Sequence, residues 1–186
     1  MLWSGGITDR PGTEDEIVEG GPLAGSENAA VALAQRGVRV SVVRLSPVVH
    51  SALDTQGFTP ALIGIAREKG VAAYVGDGAN RWPAVHTLDA AWLFRLALES
   101  APAGSRLHGV AEEGVPFREL AEAIGRNLGV PTASITPEDA AEHFGFLGMF
   151  ATADNLTSGA LTRQRLGWEP AHPGLIADLD ESHYFA

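Results

Sequence analysis

The sequence predicts an α/β fold with a parallel sheet, and three observations predict it. Stretches with strand character alternate with stretches of helical periodicity, the order of a layered α/β domain. Residues 38–45, VRVSVVRL, are β-branched and almost continuously apolar, as expected of a strand covered on both faces. Residues 88–100, LDAAWLFRLALES, repeat apolar side chains at helical spacing, as expected of a helix lying on such a sheet.

The elements follow in chain order. Residues 1–25 contain SGG, PGTEDE and EGGPLAG, which is loop chemistry after a short first strand at 1–3. A helix over 27–36 starts at Ser26 as its cap and stops at Gly37. Its alanines and Leu33 suit close packing on a sheet. The strand at 38–45 comes next, and Ser46-Pro47 ends it. A helix over 60–69 is closed by Gly70. Two short apolar runs then flank Asp77-Gly78, which reads as a hairpin or tight turn. In the helix over 88–100 the periodicity puts Leu88, Trp92 and Leu96 on the core face, widened by Ala91, Phe94 and Leu98. Pro102 and Gly104 break it. A strand at 106–110, a helix over 116–128, a strand at 132–135 and a helix over 137–144 follow, the last with Pro137 in its first turn. Helices over 158–166 and 173–184 end the chain, and Asp178, Asp180 and Glu181 read as a solvated face of the last one.

Composition narrows the function. The chain has 186 residues, 13 basic and 23 acidic side chains, a net charge of −10 and no cysteine. That length supports one sizeable core. An acidic chain with one lysine, Lys69, lacks the basic face that nucleic acid or an anionic membrane needs. The absence of cysteine removes disulfides, thiolate zinc and a cysteine nucleophile, and fits the cytoplasm. No apolar run reaches the ~18 residues of a membrane span.

Most short motifs are silent. Gly76-Asp77-Gly78 opens like a dinucleotide loop, but Arg81 occupies the place of the last glycine and no helix follows. The six histidines, at 50, 86, 108, 143, 172 and 183, form no HxH or HxxxH pair, so no metal site is expected. No GxSxG elbow is present.

Three segments carry a resemblance. Val42-Val43-Arg44-Leu45-Ser46-Pro47 closes the buried strand. Gly76-Asp77-Gly78 leads through Val85-His86 to Leu88-Asp89-Ala90-Ala91. Leu166-Gly167-Trp168-Glu169-Pro170 stands before the C-terminal helix. In that order and at those intervals the chain resembles the C-terminal half of extended or atypical short-chain dehydrogenases/reductases, the NAD(P)-dependent epimerase/dehydratase group. The resemblance implies a partial Rossmann-like parallel sheet over 1–56 and a small α/β substrate part over most of 57–186. It implies NAD or NADP as cofactor, a small carbonyl or alcohol substrate, and a possible homo-oligomer.

Residue by residue, the implication is uneven. The family's glycine-rich phosphate loop has no counterpart, so the chain is expected to be truncated and to bind a dinucleotide weakly. The family's catalytic hydroxyl falls at Gly6 of Ser4-Gly5-Gly6, leaving Ser4 as a substitute. Its tyrosine and lysine places hold Leu23 and Glu27. Leucine carries no proton, and glutamate would raise a neighbouring pKa rather than lower it. Ser46, Pro47, Val48 and Val49 match the loop that lines the nicotinamide, and His50 lies where that loop turns to substrate. Arg81 stands near the family's substrate-phosphate arginine, or is an exposed hairpin arginine. His86 and Asp89 are expected to orient the hairpin and cap the helix at 88–100. The alternative to an NAD(P)-dependent oxidoreductase or epimerase is a non-catalytic binding or scaffold protein, or an inactive gene fragment.

Overall fold

A computed structural model describes residues 10–17, 20 and 23–185. The strand expected at 1–3 and Ser4 lie outside these residues. The chain folds as parallel strand pairs with helices against them. Strand β1 (Ser41–Leu45) runs parallel to β5 (Ser105–Gly109), with Leu45 opposite Gly109. Strand β2 (Val48–His50) runs parallel to β4 (Arg81–His86), and β6 (Glu112–Pro116) pairs antiparallel on the other side of β4. Strand β3 (Ala72–Val75) is parallel to β7 (Thr132–Ile135). The first pair and the three-stranded sheet are linked twice. β1 continues through Ser46-Pro47 into β2, and β5 continues through Val110-Ala111 into β6. β4 enters where the two chains part. At the crossing the Ser46 N–H and hydroxyl both donate to the Gly109 carbonyl. The strands approach closely there: a Cβ at Gly109 would stand 2.8 Å from Leu45 Cδ2, and that side chain would have to shift. The β1–β5 pair thus joins residues on both sides of position 56.

Helix α1 (Ala24–Ala32) and a 3-10 turn over Leu33–Arg36 lead into β1, and α2 (Phe58–Lys69) into β3. Helix α3 (Thr87–Ser100) follows β4, and α4 (Phe117–Leu128) follows β6. Short helices α5 (Ala140–Phe144), α6 (Gly148–Ala151), α7 (Ala160–Leu166) and α8 (Leu175–Leu179) complete the order, with a 3-10 turn at Ser182–Tyr184. The main core packs Leu62, Ile63, Trp82, Phe117, Leu120 and Ile124 between α2, α4 and the strands. A second cluster packs Val85, Ala90, Leu93 and Trp168 under α3.

Several expectations are corrected. Asp77-Gly78 forms a tight turn but not a hairpin, because β3 and β4 belong to different sheets. The core face of α3 is a different face: Asp89, Ala90, Leu93 and Ala97 are buried, whereas Leu88, Trp92, Phe94 and Leu98 are exposed, Leu98 to 78%. Small side chains let the helix axis lie close to its neighbours, and the bulky stripe is left outside. Ser26 lies within α1 rather than capping it. The last helix is one short helix and a 3-10 turn, and it buries Asp178 instead of exposing it.

Candidate functional site

Strands β2 and β4 end in the same four-residue pattern, Pro47-Val48-Val49-His50 and Pro83-Ala84-Val85-His86, in register. Parallel pairing therefore sets two histidines side by side at the carboxyl ends of neighbouring strands, where open α/β sheets place their ligands. Their rings meet edge to face, 5.5 Å between centroids.

His50 is fully buried, and its Nδ1–H donates to Asp178 Oδ2 at 2.9 Å. Asp178 reaches it from α8, whose first N–H, at Leu175, donates to Glu112 Oε2 on β6. His183 Nε2 lies 3.7 Å from the other Asp178 oxygen. Tyr184 closes the group: its hydroxyl accepts from the Ser51 N–H at 3.0 Å. Burial, with Asp54 and Asp178 nearby, pushes that phenol far above its ordinary range, so it keeps its proton at neutral pH. Burial also raises the Asp54 carboxyl.

His86 is held differently. Its Nδ1 accepts from the Leu88 N–H, which makes His86 the cap of α3. Burial, followed by the facing imidazoles of His50 and His172, lowers its pKa. His172 stacks on it at 4.6 Å. His172 Nδ1–H donates to Asp89, which also accepts from the Ala171 and His172 N–H groups. Burial would raise the Asp89 carboxyl, but these bonds hold it below its usual range. Asp89 thus caps the 171–172 turn, not its own helix. His86, Asp89 and His172 present ligand atoms within 4.8 Å of one another. Each of those side chains is already engaged by the bonds above, so the cluster works as a clamp between α3 and the segment before α8.

A cleft of about 380 Å³ opens beside this group, lined by His50, His172, Glu112, Glu169, Arg163 and Gly174 among others. The Arg163 guanidinium donates to the Val110 and Ala111 carbonyls. Two carboxylates, Glu112 and Glu169, and one guanidinium, Arg163, surround the opening, a mixed lining that suits hydroxyl groups.

Of the residues predicted from sequence, His50 enters this site. Ser46 spends its hydroxyl on Gly109, Val48 belongs to the main core, Val49 packs on the second cluster and Pro47 is half-buried; none of them lines the cleft. Arg81 lies at the far end of β4, about 17 Å from His86 at strand rise. It is neither in a hairpin nor free: Asp154 takes both its Nε and Nη2. Asp178, His172, His183, Tyr184 and Glu112 were not singled out as site residues. The repeated Pro-x-Val-His pattern is the sequence signal that marks the β2 and β4 ends.

The tyrosine and lysine places can also be read. Leu23 is exposed ahead of α1. Glu27 binds Arg44 through both carboxylate oxygens and Arg106 through one, fastening α1 to β1 and β5.

The fold defines a class. The chain has the α/β fold of solved NAD-bound dTDP-glucose 4,6-dehydratases and spans about half the length of each. It superposes on the dTDP-glucose 4,6-dehydratase DesIV of Streptomyces venezuelae, solved with NAD, with a TM-score of 0.71 and 21% identity, over 94% of this chain and 55% of that one. It also superposes on RMD of Pseudomonas aeruginosa, solved with NADPH, with a TM-score of 0.62 and 17% identity, over 88% of this chain and 54% of that one. No family model matches the chain. Among curated proteins, an uncharacterised protein of Schizosaccharomyces pombe is 53% identical over 159 residues, 86% of this chain and 54% of the relative. The chain spans about half the length of the curated relatives it matches. No helix of the described residues is long and apolar enough to cross a membrane.

In the loop at 46–49 the Ser46 hydroxyl is bonded to Gly109 and Val48 lies in the main core, while Pro47 and Val49 are half-buried.

Proposed function

We propose that the chain is the substrate-side portion of an NAD(P)-dependent oxidoreductase or epimerase that acts on a small carbonyl- or alcohol-bearing molecule. The observation that carries this reading is the cleft at the carboxyl ends of β2 and β4, in a fold shared with nucleotide-sugar dehydratases. Its walls offer imidazole and carboxylate groups suited to hydroxyls, and the pyrophosphate-binding elements of a dinucleotide site are not among them. Isothermal titration of the intact chain with dTDP-glucose, UDP-glucose, NAD and NADPH tests it. The expected order is a nucleotide sugar bound more tightly than either dinucleotide. A micromolar dissociation constant for NAD or NADPH, with no sugar nucleotide bound, overturns it.

A second reading, a binding protein without hydride chemistry, is favoured by Glu27. The place of the family's lysine is filled by a carboxylate engaged with two arginines. Sugar binding with no NAD(P)H turnover on adding either cofactor supports that reading over the first.

A further inference from the structure

His50 and Asp178 form a buried pair with one nitrogen left over. Because Nδ1–H donates to Asp178, Nε2 is the bare, accepting nitrogen of the ring. It is shielded from solvent and has no hydrogen-bond partner among the described residues. A buried acceptor without a partner is costly, and an incoming donor would satisfy it. His50 is one of the residues that line the cleft. Of the other three imidazoles, His86 and His172 are held through Nδ1, and His183 Nε2 lies 3.7 Å from Asp178 Oδ1. His86 caps α3 and stacks face to face on His172, and His172 is tied to Asp89. Asp178 stands behind the ring, and Glu112, Glu169 and Arg163 are in the wall. The unpartnered acceptor thus belongs to a residue at the wall of a cleft suited to an uncharged hydroxyl donor.

We propose that His50 is the proton-accepting group of this cleft, with Asp178 as its positioning residue, and that the ligand group is a hydroxyl of a neutral, sugar-like ring. In the transfer the ligand O–H bond breaks and Nε2–H forms. The electron pair stays on the ligand oxygen, and the imidazolium faces the Asp178 carboxylate. The reverse step returns the same proton. Asp178 fixes which nitrogen is bare and supplies the countercharge, the general role of a carboxylate behind a catalytic imidazole. The identity of the ligand rests on the proposed function, whereas the state of the ring does not.

Nitrogen-15 imidazole spectra of the intact chain, recorded with and without D-glucose and dTDP-glucose, test it. His50 is expected as the Nδ1–H tautomer, with an Nε2 resonance that shifts when either probe is added. Asp178→Asn is expected to give a mixture of tautomers at His50 while the chain stays folded by circular dichroism. His50→Gln is expected to weaken the probe about tenfold or more, the loss for one unpaired hydroxyl. An Nε2–H tautomer in the free chain overturns the inference. So does an Nε2 resonance that neither probe moves up to 50 mM. If dTDP-glucose binds by calorimetry and His50 is silent, this inference fails and the proposed function stands. If D-glucose moves His50 and neither nucleotide sugar binds more tightly than D-glucose, the proposed function fails and the dyad stands.

Discussion

Arg44 is a charged residue in a run read as a buried apolar strand, and it is among the most buried positions of β1. Its guanidinium is satisfied on every side: Glu27 takes Nε and Nη2, the Glu16 carbonyl accepts from Nη2, and His108 Nε2 accepts from Nη1. Burial would raise the Glu27 carboxyl, but Arg44 and Arg106 hold it below its usual range. Glu27→Lys places a third cation beside two guanidiniums. We expect it to destabilise the chain by about 3–5 kcal/mol, the cost of breaking a buried ion pair, read as a lower urea midpoint. A gain in stability would mean that Glu27 is not a staple. The histidines give a second expectation at this scale. Burial holds His86, His108 and His143 below the ordinary imidazole range, helped by His50 beside the first, Arg44 beside the second and Lys69 beside the third. A lowered folded pKa means that the unfolded chain takes up protons first. Stability is therefore complete above about pH 6.5 and falls as pH drops below it, by up to ~1.4 kcal/mol per pH unit for each histidine. Glu27 and Asp89 are shifted down, so their contributions are lost only as pH falls below about 4. Urea titrations from pH 8 to 5 should show the loss setting in below pH 6.5, and a flat profile refutes it.

At the scale of elements, what could be read depended on length and on which face carried the signal. Helices α2 and α4 and strand β7 stand close to their predicted limits, because each pairs a clear periodicity with a glycine or proline boundary. β2 was not legible: it is three residues long and follows Ser46-Pro47, the very pair that reads as a stop. β6 was missed because Glu112-Glu113-Gly114 has no strand propensity, and its pairing with β4 comes from tertiary context. In α3 hydrophobicity pointed to the bulky stripe, but alanines and Asp89 form the packed face, where the Asp89 carbonyl accepts from Trp168 Nε1. The candidate site suffered most. His50 could be placed from the resemblance, but Asp178 sits in an acidic run, and its burial in α8 against His50 is a tertiary contact. The turn between β3 and β4 gives a direct check. Gly76 and Gly78 are both left-handed, at φ 61° and 67°. A Cβ at Gly76 meets nothing within 4 Å, whereas one at Gly78 stands 2.6 Å from Arg118 Cβ and 2.8 Å from Tyr74. Gly76→Ala should cost about 1–2 kcal/mol for the backbone alone, and Gly78→Ala clearly more, by thermal or urea unfolding. Equal costs would show that the turn, not the packing beneath it, sets the requirement.

At the scale of the whole molecule, the β1 side carries little apolar cover of its own. Ala24 is the sole buried residue of α1, and Leu33 in the turn after it is 37% exposed. On α3, which also packs on β1, Leu88, Trp92, Phe94 and Leu98 are exposed. Single exposed apolar residues are ordinary, but a helix face with four of them is the kind of surface that monomers seldom leave uncovered. The net charge of −10 opposes association. At physiological salt that repulsion is screened beyond about 8 Å, while contact between apolar surfaces is not. We therefore expect the chain to self-associate at high concentration, and more so as salt rises. Trp92→Lys with Leu98→Lys should reduce the association. Both side chains lie outside the core, so the pair should change unfolding free energy by less than about 1 kcal/mol. Light scattering across a range of concentration and salt is the measurement. A monomer at all of them refutes the expectation. Association that survives the double substitution moves the contact from α3 to another exposed surface, of which the α1 side is the first to test, through Leu33→Lys.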